Sequence, residues 1–133
     1  MPKLFESVQL SQALLDECEQ LDTASLSDAL DSLGVSGGLL GITTQVPGSR
    51  CVGIAFTVQY EPVGDSHGFK NAANYIDQVP PGAVIVSSNA GRQDCTVWGD
   101  IMTHFAVARG IKGTVIDGVA RDIDTVVKLG YPL

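Results

Sequence analysis

A chain of 133 residues that is 44% apolar can bury one hydrophobic core but is too short for two ordinary domains, so a single domain over residues 1–133 is expected. Fifteen acidic against eight basic residues give a formal net charge of -7, which repels phosphate backbones and anionic membranes and leaves a small molecule or a protein as the expected partner. No apolar run reaches the length of a membrane span, Met1-Pro2-Lys3-Leu4-Phe5-Glu6 lacks the pattern of a secretory leader, and Cys18, Cys51 and Cys95 lack Cys-x-x-Cys spacing; a cytoplasmic protein with reduced, partly buried thiols is expected.

Apolar residues at Leu10, Leu14 and Leu15, then at Leu26, Ala29, Leu30 and Leu33, recur at three- and four-residue intervals and predict two helices. Ser25 and Asp28 resemble a capping box opening the second, and Gly34 is placed to close it in the left-handed conformation. Gly37-Gly38 through Gly41 is a connector; it lacks the Gly-Lys-Ser/Thr ending of a nucleotide-binding loop. From Cys51 to Tyr60 the pattern alternates, with Ile54, Phe56, Val58 and Tyr60 on one face of a strand.

A helix is expected from about Phe69 to Gln78, stopped by Pro80-Pro81-Gly82. Ala83-Val84-Ile85-Val86 then reads as a strand buried on both sides. The next helix should begin between Asp94 and Gly99, carry Ile101, Met102, Phe105 and Ala106 toward the core, and end at Gly110. Gly113-Thr114-Val115-Ile116-Asp117 repeats the strand shape, and Asp122 to Leu129 forms a last helix closed by Gly130. Two strand-to-helix units with right-handed crossovers point their strand carboxyl ends to one sheet edge, where ligands of open α/β sheets bind. The loops leaving that edge, Ser87 to Gly99 and Gly118 to Arg121, let Asp100, Arg121 and Asp122 converge.

Twenty residues separate Asp100 from Arg121-Asp122, and this Asp-x20-Arg-Asp spacing resembles the metal and substrate motif of the family that includes the metal-dependent 4-hydroxy-4-methyl-2-oxoglutarate aldolases and the regulators of ribonuclease activity. Leu26-Ser27-Asp28-Ala29-Leu30, Leu33-Gly34-Val35, Gly53-Ile54-Ala55-Phe56-Thr57-Val58 and Pro81-Gly82-Ala83-Val84-Ile85-Val86 resemble the same family in the same order, over most of residues 21–133. The resemblance implies an α/β chain with the layered β/β/α swivelling-domain fold of phosphohistidine carriers, assembled as a homotrimer or hexamer. It also implies a class II pyruvate aldolase with oxaloacetate decarboxylase activity, or a regulator that binds an RNA-degrading endonuclease. Those regulators tend to carry glycine at the position of Asp100, so the carboxylate favours the enzyme.

The residues suit that chemistry on their own terms. Magnesium or manganese takes oxygen ligands, and magnesium keeps several waters and needs one or two protein carboxylates. Asp122 is the candidate direct ligand, and Asp100 the candidate anchor of metal-bound water, whose pKa the ion lowers toward neutrality. The planar fork of Arg121 matches the carboxylate of a 2-oxo acid substrate, and backbone N–H groups of Gly99, Asp100, Ile101 and Met102 at a helix start would add donors. A lysine Schiff base is the rival mechanism, but Lys3, Lys112 and Lys128 fall away from this edge and Lys70 is a distant candidate.

Simpler roles stand beside these. Asp122 has the position of a helix cap with Arg121 as its surface ion pair, Asp100 can serve the helix dipole alone, and Asp117 reads as a turn residue. His67 and His104 lack metal-ligand spacing, and Cys95 has no adjacent base. Arg92 suits substrate contact and plain solvent exposure equally. The chain departs from the family at Gly64-Asp65-Ser66-His67, where Gly-Asp-Asn is usual, and the resemblance implies further strands after Gly130-Tyr131-Pro132-Leu133.

Overall fold

Serine and aspartate side chains, which accept hydrogen bonds from the exposed amides of a helix start, set where the first two helices begin. In the computed structural model, which describes residues 11–64 and 71–133, Ser11 opens α1 (Gln12–Gln20) by accepting from the Leu14 N–H at 3.3 Å. Asp22 opens α2 (Thr23–Ser32), its Oδ1 accepting from the Ser25 N–H at 2.7 Å. The capping box expected at Ser25 and Asp28 is therefore not used: the charged Asp22 acceptor lies three residues earlier, and both residues fall inside the helix. Gly34 closes α2 at φ 69°, with Gly34 N–H bonded to Asp31 O and Val35 N–H to Leu30 O, both at 2.9 Å, as read from the sequence. Leu10 lies outside the described residues.

These helices belong to the first of two compact units, Met1–Leu40 and Gly41–Leu133. The second unit carries two parallel sheets. One has the order β1-β2-β4, from β1 (Ala55–Gln59), β2 (Val84–Ser88) and β4 (Gly113–Asp117), and its register aligns Gln59, Ser88 and Asp117 at the carboxyl edge. The other pairs β3 (Thr96–Trp98) with β5 (Val119–Ala120), Thr96 opposite Val119 and Trp98 opposite Ala120. With α3 (Asp100–Arg109) and α4 (Ile123–Lys128) they make the expected α/β fold, layered β/β/α with strand-helix-strand units.

Val79, Ile85, Ala106 and Val126 are fully enclosed in the core, where the rings of Trp98 and Tyr131 stack at 5.8 Å. Trp98 Nε1 donates to Thr103 Oγ1 at 2.9 Å, and that hydroxyl donates to Gly99 O at 2.8 Å, so a buried polar pair is satisfied without water.

Three local readings differ from the structure. The strand expected from Cys51 narrows to Ala55–Gln59. The helix expected from Phe69 to Gln78 is, within the described residues, a run of turns ending in a 3-10 turn at Ile76–Gln78; Asn71 Oδ1 accepts from Ala73 N–H at 2.9 Å and competes with helical bonding. Phe69 itself, with Lys70, is not among the described residues. Finally, α3 begins only at Asp100, after β3, and Ile101 is 78% exposed. Thr103 and Ala106 hold the buried face, and a residue two positions before Thr103 lies roughly 200° around a helix, which turns Ile101 outward.

Burial raises the pKa of Tyr60, Tyr75 and Tyr131 above the ordinary 10.0, and Tyr75 is raised further by its neighbour Tyr60. A folded-state pKa above the unfolded value means the folded state retains its proton longer. The stabilisation is thus complete below about pH 10 and is lost as pH climbs beyond it. Thermal unfolding followed by circular dichroism should show a Tm that falls progressively above about pH 10, with a shallower fall in Tyr75→Phe. Identical profiles for the two proteins would contradict this assignment.

Candidate functional site

β3 and β5 are the pair that assembles the candidate site. Each ends at its site residues, Gly99-Asp100 after Trp98 and Arg121-Asp122 after Ala120, and the Arg121 N–H donates to Trp98 O at 3.0 Å. α3 and β4 occupy the sequence between, so the long spacing closes into backbone adjacency. Strands of three and two residues are too short to show alternation, which is why the sequence did not reveal this pairing.

Asp122 takes the left-handed conformation, φ 59° and ψ 35°, which costs a non-glycine residue about 1–2 kcal/mol and is tolerated best by Asn and Asp. Its side chain makes no bond to its own helix. Instead Oδ2 accepts from the Asp100 N–H at 3.3 Å and sits 3.3 Å from Arg121 Nε, so the side chain of Asp122 serves the start of α3 while its backbone carbonyl opens α4. Asp100 Oδ1 accepts from the Ile101 N–H at 2.7 Å. The first two amides of α3 thus face carboxylates of the protein itself; the expected anion donors at Asp100 and Ile101 are already engaged.

Arg121 is 69% exposed and Asp122 37%, so the pair opens to solvent and its ion-pair energy is at most about 1 kcal/mol. Two carboxylates against one guanidinium leave an excess negative charge that a cation would neutralise. Among the described residues no group of three or more His, Cys, Asp or Glu side chains converges as a metal cage. A magnesium ion nonetheless keeps several waters and needs only one or two protein carboxylates, so the solvent-open Asp122 carboxylate is compatible with a hydrated ion.

The other candidates lie apart from this cluster. Arg92 is held by Asp94 through contacts of 2.9 and 2.6 Å; Arg92 is half-buried and Asp94 exposed. Asp117 fastens the neighbouring loop, its O accepting from Asn89 N–H at 2.9 Å and its Oδ2 from Ser88 Oγ at 3.4 Å. Cys95 is exposed rather than partly buried, with Asn89 Nδ2 3.4 Å from its Sγ, while burial pushes the Cys51 thiol up from 9.0. His104, Lys112 and Lys128 are exposed. His67, Lys3, Lys70 and the Asp65-Ser66-His67 departure lie outside the described residues. A cavity of about 430 Å³, bounded by Thr44, Cys51, Thr114, Ile116, Ala120 and Ile123 among others, includes none of Asp100, Arg121 and Asp122. The chemistry-bearing residues therefore define the candidate site, and the cavity does not. No helix among the described residues is long and apolar enough to cross a membrane.

The family model described as RraA-like, Aldolase/RraA, matches residues 23–133. Protein DlpA of Legionella pneumophila is 46% identical over 121 residues, covering 90% of this chain and 20% of that protein. A Halalkalibacterium halodurans protein named as a candidate 4-hydroxy-4-methyl-2-oxoglutarate aldolase is 35% identical over 133 residues, covering 93% of this chain and 58% of its own. The crystal structure of an uncharacterized protein from Pseudomonas syringae pv. tomato is 71% identical, with a TM-score of 0.88 over 100% of this chain and 60% of its own. This chain thus spans less than two thirds of the length of each of these proteins.

Proposed function

The chain belongs to the RraA-like (Aldolase/RraA) family, which takes in both aldolases and ribonuclease regulators, and from that premise we propose that it is a divalent-metal-dependent lyase releasing pyruvate from a 4-hydroxy-2-oxo acid. The observation that carries the reading is the meeting of Asp122, Arg121 and the Asp100 backbone at the start of α3.

Asp122 would hold the ion through Oδ1, because its Oδ2 is engaged by the Asp100 N–H and Arg121 Nε. A bound magnesium or manganese ion supplies Lewis-acid polarisation and a water of lowered pKa. Asp100, with Oδ1 tied to the Ile101 N–H, has Oδ2 left and would orient the base that removes the substrate's 4-hydroxyl proton. Arg121 binds the C1 carboxylate with its Nη groups, and the Gly99 and Met102 amides would add donors. Loss of the proton forms the new C4 carbonyl, the C3–C4 bond breaks, and its electron pair passes to the pyruvate enolate, which is protonated at C3 to give pyruvate. Loss of carbon dioxide from oxaloacetate produces the same enolate, so that decarboxylation is the expected second activity.

A homotrimer or hexamer in which a neighbouring copy shelters this open site fits the reading. Purified protein supplied with magnesium or manganese should release pyruvate from 4-hydroxy-4-methyl-2-oxoglutarate in a lactate dehydrogenase-coupled assay. No release at any metal concentration would reject the lyase. The net charge of -7 also suits the family's regulators, which bind protein rather than keto acid. Tight metal-independent binding to an RNA-degrading endonuclease, unaffected by Asp122→Ala, would favour that branch.

A further inference from the structure

Gly99 carries no unusual backbone. Its φ of -163° and ψ of -168° are extended values that any residue adopts, so conformation does not explain a glycine at this point. Space does. A Cβ added to Gly99 would lie 2.9 Å from Asp122 Oδ2, 3.3 Å from Arg121 Nε and 3.4 Å from Arg121 Cγ. The first of these is closer than side-chain carbons approach an oxygen, and all three atoms belong to the two residues of the proposed site.

The same Oδ2 is fixed from three further directions. The left-handed Asp122 backbone turns the side chain back toward α3, the Asp100 N–H donates to it, and Arg121 Nε lies beside it. Held this way, Oδ2 and Arg121 Nε stand where a Cβ at position 99 would crowd them. We propose that Gly99 is a positioning residue: its missing side chain lets the Asp122 carboxylate close over the start of α3, committing Oδ2 to protein donors and presenting Oδ1 alone to a cation while Arg121 is held alongside. The significance for catalysis rests on the lyase reading; the steric claim does not.

The test is a cycle of Gly99→Ala, Asp122→Gly and the double variant. Glycine at 122 keeps the left-handed backbone free of strain while removing the carboxylate. Gly99→Ala should lower Tm in the native background and by clearly less in Asp122→Gly. In ¹H–¹⁵N spectra the Asp100 amide should shift in Gly99→Ala in the direction it shifts in Asp122→Gly. Manganese affinity, measured by electron paramagnetic resonance, should fall about 10- to 100-fold in Gly99→Ala, the range for lost support of a metal ligand. If Gly99→Ala fails to fold alone yet folds with Asp122→Gly, the proposal stands; failure in both backgrounds overturns it. Additive Tm changes with an unmoved Asp100 amide also overturn it. Should the native protein bind no manganese, the metal reading fails, and the Tm cycle and the amide shift still decide the role of Gly99.

Discussion

Replacing Asp122 by alanine is expected to abolish metal-dependent turnover, lowering kcat/KM by about 10³-fold or more, roughly 4 kcal/mol of transition-state stabilisation. The size follows from the donor count. On the lyase reading Asp122 is the direct ligand and Asp100 acts through water, and among the described residues no cage of three or more His, Cys, Asp or Glu stands in reserve. Loss of a sole anchor removes the cation, and with it both polarisation of the keto group and the water of lowered pKa. Folding should survive: alanine in the left-handed region costs about 1–2 kcal/mol, of which the native aspartate already bears a part. Asp122→Asn keeps the volume and the tolerance of that conformation while removing the charge. Both variants should therefore lose their response to added magnesium while retaining a cooperative thermal transition. Turnover that still rises with metal in Asp122→Asn would place the ion on other ligands.

How much of this was legible beforehand depended on whether the signal was local. β4 keeps the bounds that the sequence suggests, because a β-branched run between glycine and aspartate is a pattern along the chain. Gly34, Gly110 and Gly130 each sit at positive φ where a periodic helix stops, and the helix pattern alone identifies such positions. The misplaced α2 start is a contest between two capping signals three residues apart, which Asp22 wins. Ile101 goes the other way: an apolar residue next to a helix start suggests the core, whereas Trp98 Nε1 draws Thr103 there instead. At the site, the spacing of Asp100 and Arg121-Asp122 was visible. What joins them was not: a pairing of two- and three-residue strands, a left-handed aspartate and an absent Cβ are properties of segments brought together by folding.

Arg121→Ala should act on the substrate rather than on the ion. Hydrogen bonds to charged groups contribute about 1.5–3 kcal/mol each, so losing a two-pronged grip on the C1 carboxylate should lower kcat/KM by about 10²- to 10⁴-fold, most of it in KM. The competing account makes Arg121 a surface partner of Asp122 and no more. A residue 69% exposed in an ion pair worth at most about 1 kcal/mol would then cost at most about 5 °C of Tm and leave KM alone. The two accounts separate again with Arg121→Lys. An ammonium preserves the charge but has neither the planar fork for a carboxylate nor an Nε beside Asp122 Oδ2, so it should recover little of the lost affinity. Product inhibition gives an independent reading, because pyruvate presents the same carboxylate without the scissile bond. Its inhibition constant should rise with KM in both variants. An unchanged pyruvate inhibition constant alongside unchanged KM would mean that the keto acid is gripped elsewhere, and Arg121 would return to the role of a solvated ion-pair partner.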